Sequence, residues 1–301
     1  MFAAPDAKGQ PKVDVSMKLA VLAVVASFAW TSTPVVALGE TRNSVALEGA
    51  TISLFSAPPM AAALLADAIS LGEGEQLLFL SIDLNEGWKT YWRLPGRFGL
   101  APDLDWQRSD NVAAATAHFP APSLFDEGDG SSIGYAAPTV WPIVLQPENK
   151  DQPMTYRLSL EIGLCAALCL PERVELTARS QSSGADQNMT LAQIFDLQGD
   201  LARGTRPLSE LILEQAGAQI TLTSGGTMQD EQAQTWHDLA GFAVAEDNLG
   251  RHSLLQRTES EADEVPTMTG PWSWRTPITR VTIIEPGRPM RVYAREPTTA
   301  P

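Results

Sequence analysis

From Met154 to Ala178 the chain alternates apolar and polar residues around a centre that holds two cysteines, and this stretch constrains the fold more than any other. Met154, Tyr156, Leu158, Leu160, Ile162 and Leu164 are apolar, with Thr155, Arg157, Ser159, Glu161 and Gly163 between them. A period of two is that of a half-buried strand. Beyond Cys169 the apolar positions are Val174, Leu176 and Ala178 and the polar ones Arg173, Glu175 and Thr177. This predicts a second strand of the same parity, joined to the first by the turn Ala166-Ala167-Leu168. Folding at Ala167 sets Cys165 opposite Cys169, Glu161 opposite Arg173, Leu160 opposite Val174 and Leu158 opposite Leu176. Apolar then meets apolar and charge meets counter-charge. Directly opposed strand residues lie within disulfide reach. By parity both sulfurs belong to the polar face, away from the core. The same register sets Ile162 against Glu172, and Pro171 is expected to end the ladder or introduce a bulge.

Cys165 and Cys169 are the only cysteines of the chain and its best candidates for chemistry. A structural staple is one reading, but chain entropy gives so small a loop only about 2 kcal/mol, against ~3 kcal/mol for a fifteen-residue loop. Thiol–disulfide exchange is the second, because exposed cross-strand bridges tend to be the labile ones. A metal site is the weakest, since His118, His237 and His252 are scattered. Neither Lys nor His flanks the sulfurs in sequence to lower a thiol pKa. The turn is apolar where Gly, Asn or Asp is usual, which points to a covered or docking tip. The Gly-rich loop Phe125–Tyr135, with an aromatic at each end, is a possible cover and equally a solvated loop. Trp88, Tyr91 and Trp92 are read as core residues before they are read as a stacking surface. There is no nucleophilic triad, phosphate loop or nucleotide fingerprint, and no cofactor is expected.

A net charge of −15 argues against a nucleic-acid partner. Lys18 and the apolar run Leu19–Trp30, followed by Val35 and Ala37, read as a secretory signal over residues 1–37, with either Met1 or Met17 as its start. Its removal makes the net charge one unit more negative and leaves a chain expected to be soluble in an oxidising compartment. With 44% hydrophobic residues and eight tryptophans, core material is ample; abundant Pro and Gly with few helical periods favour an all-β architecture. Strands are predicted around 46–55, 77–84, 104–106, 112–119 and 139–145, with short helices at 60–71 and 191–201. Short strands at this spacing point to a sandwich over residues 38–179. Residues 180–207 are expected to be a linker, Ser180–Asn188, followed by a short helix. A second, sandwich-like β unit is expected over 208–301, with strands at 219–223, 239–245, 253–257, 280–284 and 291–294 and a solvated acidic loop at Glu259–Glu264.

Gly87-Trp88-Lys89-Thr90-Tyr91-Trp92-Arg93-Leu94-Pro95-Gly96, Asp105-Trp106, Pro120-Ala121-Pro122, Gly134-Tyr135 and Cys165-x3-Cys169-x-Pro171 together resemble the periplasmic N-terminal domain of the thiol:disulfide interchange proteins DsbD and ScsB. The resemblance runs over roughly residues 45 to 180, and the short cysteine spacing is closer to the ScsB-like branch. It implies an immunoglobulin-like fold and a thiol–disulfide oxidoreductase of the periplasm. Cys165 and Cys169 would take electrons from a membrane reductase and pass them to oxidised thioredoxin-like or other thiol proteins. It also implies a cap loop over the cysteines, mapped to Phe125, Asp126, Glu127 and Tyr135. The membrane and thioredoxin-like domains of those longer proteins are absent from the sequence, so a separately encoded membrane thiol reductase is the expected donor. The rival reading is a non-catalytic immunoglobulin-like envelope module, with its hairpin stapled by the bridge.

Overall fold

The computed structural model describes residues 43–179, 189–224, 241–257, 267–272, 276–286 and 288–295. The expected signal, the linker Ser180–Asn188 and the acidic run Glu259–Glu264 lie outside the described residues. Eleven strands come first: β1 (Ser44–Ala46), β2 (Ala50–Ser56), β3 (Gln76–Leu84), β4 (Lys89–Gly96), β5 (Asp103–Asp105), β6 (Val112–Ala117), β7 (Ser123–Asp126), β8 (Ser131–Tyr135), β9 (Thr139–Pro147), β10 (Thr155–Cys165) and β11 (Cys169–Arg179). They form two facing sheets, one ordered β1-β2-β3-β9-β6 and the other β11-β10-β4-β8-β7 with β5 also on β10. The described residues are mostly strand, and 43–179 form this immunoglobulin-like sandwich.

Alternation explains the layers. Leu78, Leu80 and Ile82 of β3 join Trp141, Ile143 and Leu145 of β9 and Tyr156, Leu158 and Leu160 of β10 in one core between the sheets. The intervening Leu77 and Phe79 are buried as well, on the outer face. That face is covered by α1 (Pro59–Leu64) and α2 (Leu191–Asp200), whose Leu65, Ile194 and Leu197 neighbourhood forms a second core. A strand buried on both faces reads as a continuous apolar run. The first helix is shorter than the 60–71 expected, because Leu65 leaves helical geometry at φ −92° and ψ 3°. The second starts with a capping box, in which Thr190 accepts from the Gln193 N–H and Gln193 answers on the Thr190 N–H.

The cysteine hairpin has the predicted register throughout, from Thr155 opposite Arg179 to Cys165 opposite Cys169. Pro171 pairs with Gly163 without a bulge, contrary to expectation. Its strand β11 is the sheet edge, where a missing N–H costs no ladder bond. The Gly-rich stretch expected as a loop is instead the β7–β8 hairpin, closed by a turn with Gly128 at φ +81°. β8 can approach β4 only because Gly134 has no side chain: a Cβ there would lie 2.0 Å from the Thr90 carbonyl oxygen.

After α2 come β12 (Thr205–Pro207), β13 (Leu211–Ala216), β14 (Gln219–Ser224), β15 (Phe242–Asp247), β16 (His252–Arg257), β17 (Thr267–Pro271), β18 (Ile278–Ile284) and β19 (Arg291–Ala294). Among the described residues they make one eight-stranded sheet, ordered β12-β19-β18-β15-β16-β17-β14-β13. Parity divides its faces. Phe242, Val244 and Ile284 join the sandwich core, whereas Ala243, Ala245, Val281 and Ile283 pack in a core of their own. Glu246, on the sandwich-facing parity of β15, receives Arg93 of β4 in a two-pronged ion pair, Nη1 to Oε2 at 2.8 Å and Nη2 to Oε1 at 2.6 Å. The Arg93 guanidinium also stacks 4.6 Å from the Trp92 ring.

Removing one partner of such a pair leaves the other charge unpaired in a largely buried site. Glu246→Ala is therefore expected to lower unfolding stability by about 3 kcal/mol in chemical denaturation. The double variant Arg93→Ala/Glu246→Ala should lose less than the two single losses combined. A change below about 1 kcal/mol in Glu246→Ala would show that the pair does not hold the two sheets together.

Candidate functional site

Cys165 ends β10 and Cys169 begins β11, so the hairpin itself delivers the two sulfurs to each other. They are joined in a disulfide, with Cα atoms 4.0 Å apart and the turn closed by Ala166 N–H donating to the Leu168 carbonyl at 3.1 Å. Their environments differ. Cys165 is fully buried, while Cys169 is exposed and Leu168 at the tip is 73% exposed. Parity had assigned both sulfurs to an open polar face. Cys165 departs from this because β10 is an interior strand at this end, with β4 along its other side.

That second neighbour supplies the missing chemistry. Leu164 pairs with Thr90 and Cys165 with Lys89, and the Thr90 hydroxyl donates to the Gly163 carbonyl at 2.9 Å. Tyr91, next along β4, places its Oη 2.9 Å from Cys165 Sγ and 3.3 Å from Cys169 Sγ. Disulfide sulfurs carry no hydrogen, so the phenol is the donor. Burial, and then the negative charge of Glu127, raise the Tyr91 pKa above its ordinary 10.0, which keeps the hydroxyl protonated at neutral pH. Gly163 makes room for this arrangement. A Cβ there would stand 2.9 Å from Leu100 Cβ and 3.0 Å from Tyr91 Cδ2. Phe98, Leu100 and Leu168 are exposed at 42%, 44% and 73%, far more than the buried side chains around Tyr91.

The residues mapped to a cap loop divide. Glu127 accepts Lys89 Nζ at 2.5 Å and the Ser132 hydroxyl. These two hydrogen bonds, Lys89 first, lower its pKa and keep it ionised. Phe125 lies under the same Lys89, 5.3 Å from Nζ to the ring centroid. The Asp126 carboxylate accepts the Gly128 N–H within the hairpin turn. Tyr135 belongs to the interior, donating to the Pro120 carbonyl at 2.9 Å beside Trp141. Of the aromatics in the Trp88–Trp92 cluster, Trp92 is core, Trp88 packs over Gly49 and Tyr91 reaches the sulfurs. Tyr91 and Lys89 are thus neighbours of the disulfide that sequence reasoning places in the core or passes over. Their signal was the two-strand adjacency of β4 and β10, which lies 74 residues apart in the chain. Among the described residues no group of three or more His, Cys, Asp or Glu is arranged to hold a metal ion.

Residues 61–181 match the family described as thiol:disulfide interchange protein DsbD, N-terminal. The N-terminal periplasmic domain of ScsB from Proteus mirabilis superposes with a TM-score of 0.58 at 20% identity, over 84% of this chain and 97% of that one. A conserved domain protein from Bacillus anthracis aligns over 80% of this chain and 74% of that one at 8% identity, with a TM-score of 0.21, too low to bear on the fold. No curated protein matches the chain.

The phenol's surroundings can be checked by titration. Absorbance titration of the parent minus Tyr91→Phe should show Tyr91 ionising above pH 10, and Glu127→Gln should shift that step downward. Since the folded pKa is the raised one, the stability this group contributes is present below pH 10 and lost as pH rises through the folded value. An unshifted step in Glu127→Gln would remove Glu127 from the site's electrostatics.

Proposed function

We propose, from the match of residues 61–181 to the DsbD N-terminal family, that the chain is a periplasmic thiol–disulfide exchange protein working through Cys165 and Cys169. The observation that supports this reading is the asymmetry of the bridge: Cys169 is an exposed residue, whereas Cys165 is fully buried and has the Tyr91 hydroxyl 2.9 Å from its sulfur, nearer than the 3.3 Å to that of Cys169.

The asymmetry assigns roles. A donor thiolate attacks the exposed Cys169 sulfur, the Cys165–Cys169 bond breaks, and a mixed disulfide forms at Cys169 while Cys165 leaves as a thiolate. The Tyr91 hydroxyl, 2.9 Å from that sulfur, donates to the developing charge. The donor's second thiolate then attacks its own sulfur in the mixed disulfide, releasing Cys169 and leaving the donor oxidised. Two electrons have passed to the cysteine pair. In the onward step the Cys169 thiolate attacks the disulfide of an oxidised partner, and Cys165 resolves the mixed disulfide, so the pair is oxidised and the partner reduced. A leaving thiolate stabilised by a hydrogen bond departs faster, because exchange rates rise as the leaving thiol's pKa falls. The apolar residues Phe98, Leu100 and Leu168 give a partner thiol protein a surface on which to dock. A membrane thiol reductase as donor and thioredoxin-like or other periplasmic thiol proteins as acceptors are the partners this chemistry calls for.

Single-cysteine variants test the assignment. Cys165→Ala, which leaves Cys169, should capture mixed disulfides from a periplasmic extract, and Cys169→Ala should capture few or none. The reverse pattern would overturn the assignment, and capture by neither variant would overturn exchange itself. In Tyr91→Phe the fold should persist while the rate of reduction by a small dithiol drops about tenfold, the worth of one hydrogen bond to a charged group.

A further inference from the structure

Cys165 is fully buried, so a thiolate formed on its sulfur needs a partner of opposite charge. Burial alone raises a thiol pKa, and a charge inside a protein is stable only where it is paired. Tyr91 gives the sulfur a hydrogen bond but no charge. A cation stands beside it. Lys89 of β4 is the residue directly opposite Cys165, and directly opposed residues of an antiparallel pair share a face, with Cβ atoms about 4.5–5.5 Å apart. Tyr91, two residues on, lies on the same face and reaches the sulfur from the diagonal position. The β7–β8 hairpin holds the Lys89 ammonium from its other side, with Glu127 Oε1 2.5 Å from Nζ and the Phe125 ring centroid at 5.3 Å. That Glu127 carboxylate also acts on the Tyr91 hydroxyl, itself 2.9 Å from Cys165 Sγ. Ammonium, carboxylate, phenol and sulfur therefore form one cluster. Its ion pair is only 21% and 25% exposed, which keeps the charges strongly felt.

With the bridge closed, Lys89 is balanced by Glu127 and the bonded sulfurs carry no charge. Reduction changes the balance. The bridge takes up two electrons and, with Cys165 left as a thiolate, one proton, which Cys169 carries. The cluster then holds two anions, Glu127 and Cys165, beside one ammonium. Asp126 is turned into its own hairpin, on the Gly128 N–H. An ammonium has three donors on a flexible stem, enough to serve two acceptors at once. We propose that Lys89 is the counter-charge of the Cys165 thiolate, shared with Glu127. A cation missing from the sequence neighbours of both cysteines is thus supplied across the sheet. The assignment rests on the exchange reading above, but its test reads a thiol acidity that exists whether or not a partner exchanges with it.

Carbon NMR titration of the Cys165 Cβ in the Cys169→Ala protein, where Cys165 is the one thiol, follows its ionisation directly. Adding Lys89→Met, which keeps the aliphatic stem, should weaken this thiol as an acid about tenfold. Lys89→Arg should keep the parent acidity, and Glu127→Gln, which removes the competing anion, should strengthen it. An unchanged acidity in Lys89→Met overturns the counter-charge. So does Lys89→Arg weakened as far as Lys89→Met, which would mean packing of the stem rather than charge. An unchanged acidity in Glu127→Gln overturns the sharing, and this variant leaves Lys89 in place, so it decides even where Lys89→Met disturbs the strand. The exchange reading fails separately: capture of no mixed disulfide by Cys165→Ala, alongside the expected loss of acidity in Lys89→Met, removes exchange and leaves the counter-charge standing.

Discussion

The register of β10 against its two neighbours is the constraint on which the rest depends. Side chains alternate with a period of two, so a slip of one residue would turn Tyr156, Leu158, Leu160 and Ile162 out of the core and separate the sulfurs. The pairing that buries those residues is the same pairing that sets Cys165 against Cys169 on one side and against Lys89 on the other. Core formation and site assembly are one event. The hydrophobic pattern supplies the driving force, and the placement of the sulfurs under Tyr91 follows from it.

A second coupling runs through β4. That strand carries Tyr91 to the disulfide and, two residues on, Arg93 to Glu246 of the eight-stranded sheet. Residues of the same parity on β15, Phe242 and Val244, continue the sandwich core. The second sheet is therefore packed against the sandwich and tied by a part-buried ion pair to the strand that carries Tyr91. Exposure of Cys169 and Leu168 at the hairpin tip contrasts with this rigid footing. An exchange protein needs that combination, since the sulfur must meet a partner while its leaving group stays fixed.

The hairpin and its register were legible in the chain because both rest on alternation and on neighbours close in sequence. The helix at Thr190 was legible for a similar reason, since its cap and its Gln193 answer lie within one turn. Long-range adjacency was not. Nothing local to Tyr91 says that its hydroxyl meets sulfurs 74 and 78 residues away, and an aromatic in an apolar strand reads as core. Burial of Cys165 escaped for the same reason: parity assigns a face but does not say what lies across it. The β7–β8 hairpin was hidden by its glycines, which look like loop residues and serve here to let β8 lie tightly on β4. Strands β12, β13 and β17 are not legible, because β12 has three residues and β13 and β17, at six and five, lack a sustained alternation.

The Cys165–Cys169 bridge is proposed to exchange rather than staple. Its reduction potential, measured by equilibrating the protein with thiol–disulfide buffers and counting free thiols, decides this most directly. A value above about −300 mV is expected, within reach of periplasmic thiol partners. A value below about −300 mV would mark a structural bridge and overturn exchange through this cysteine pair.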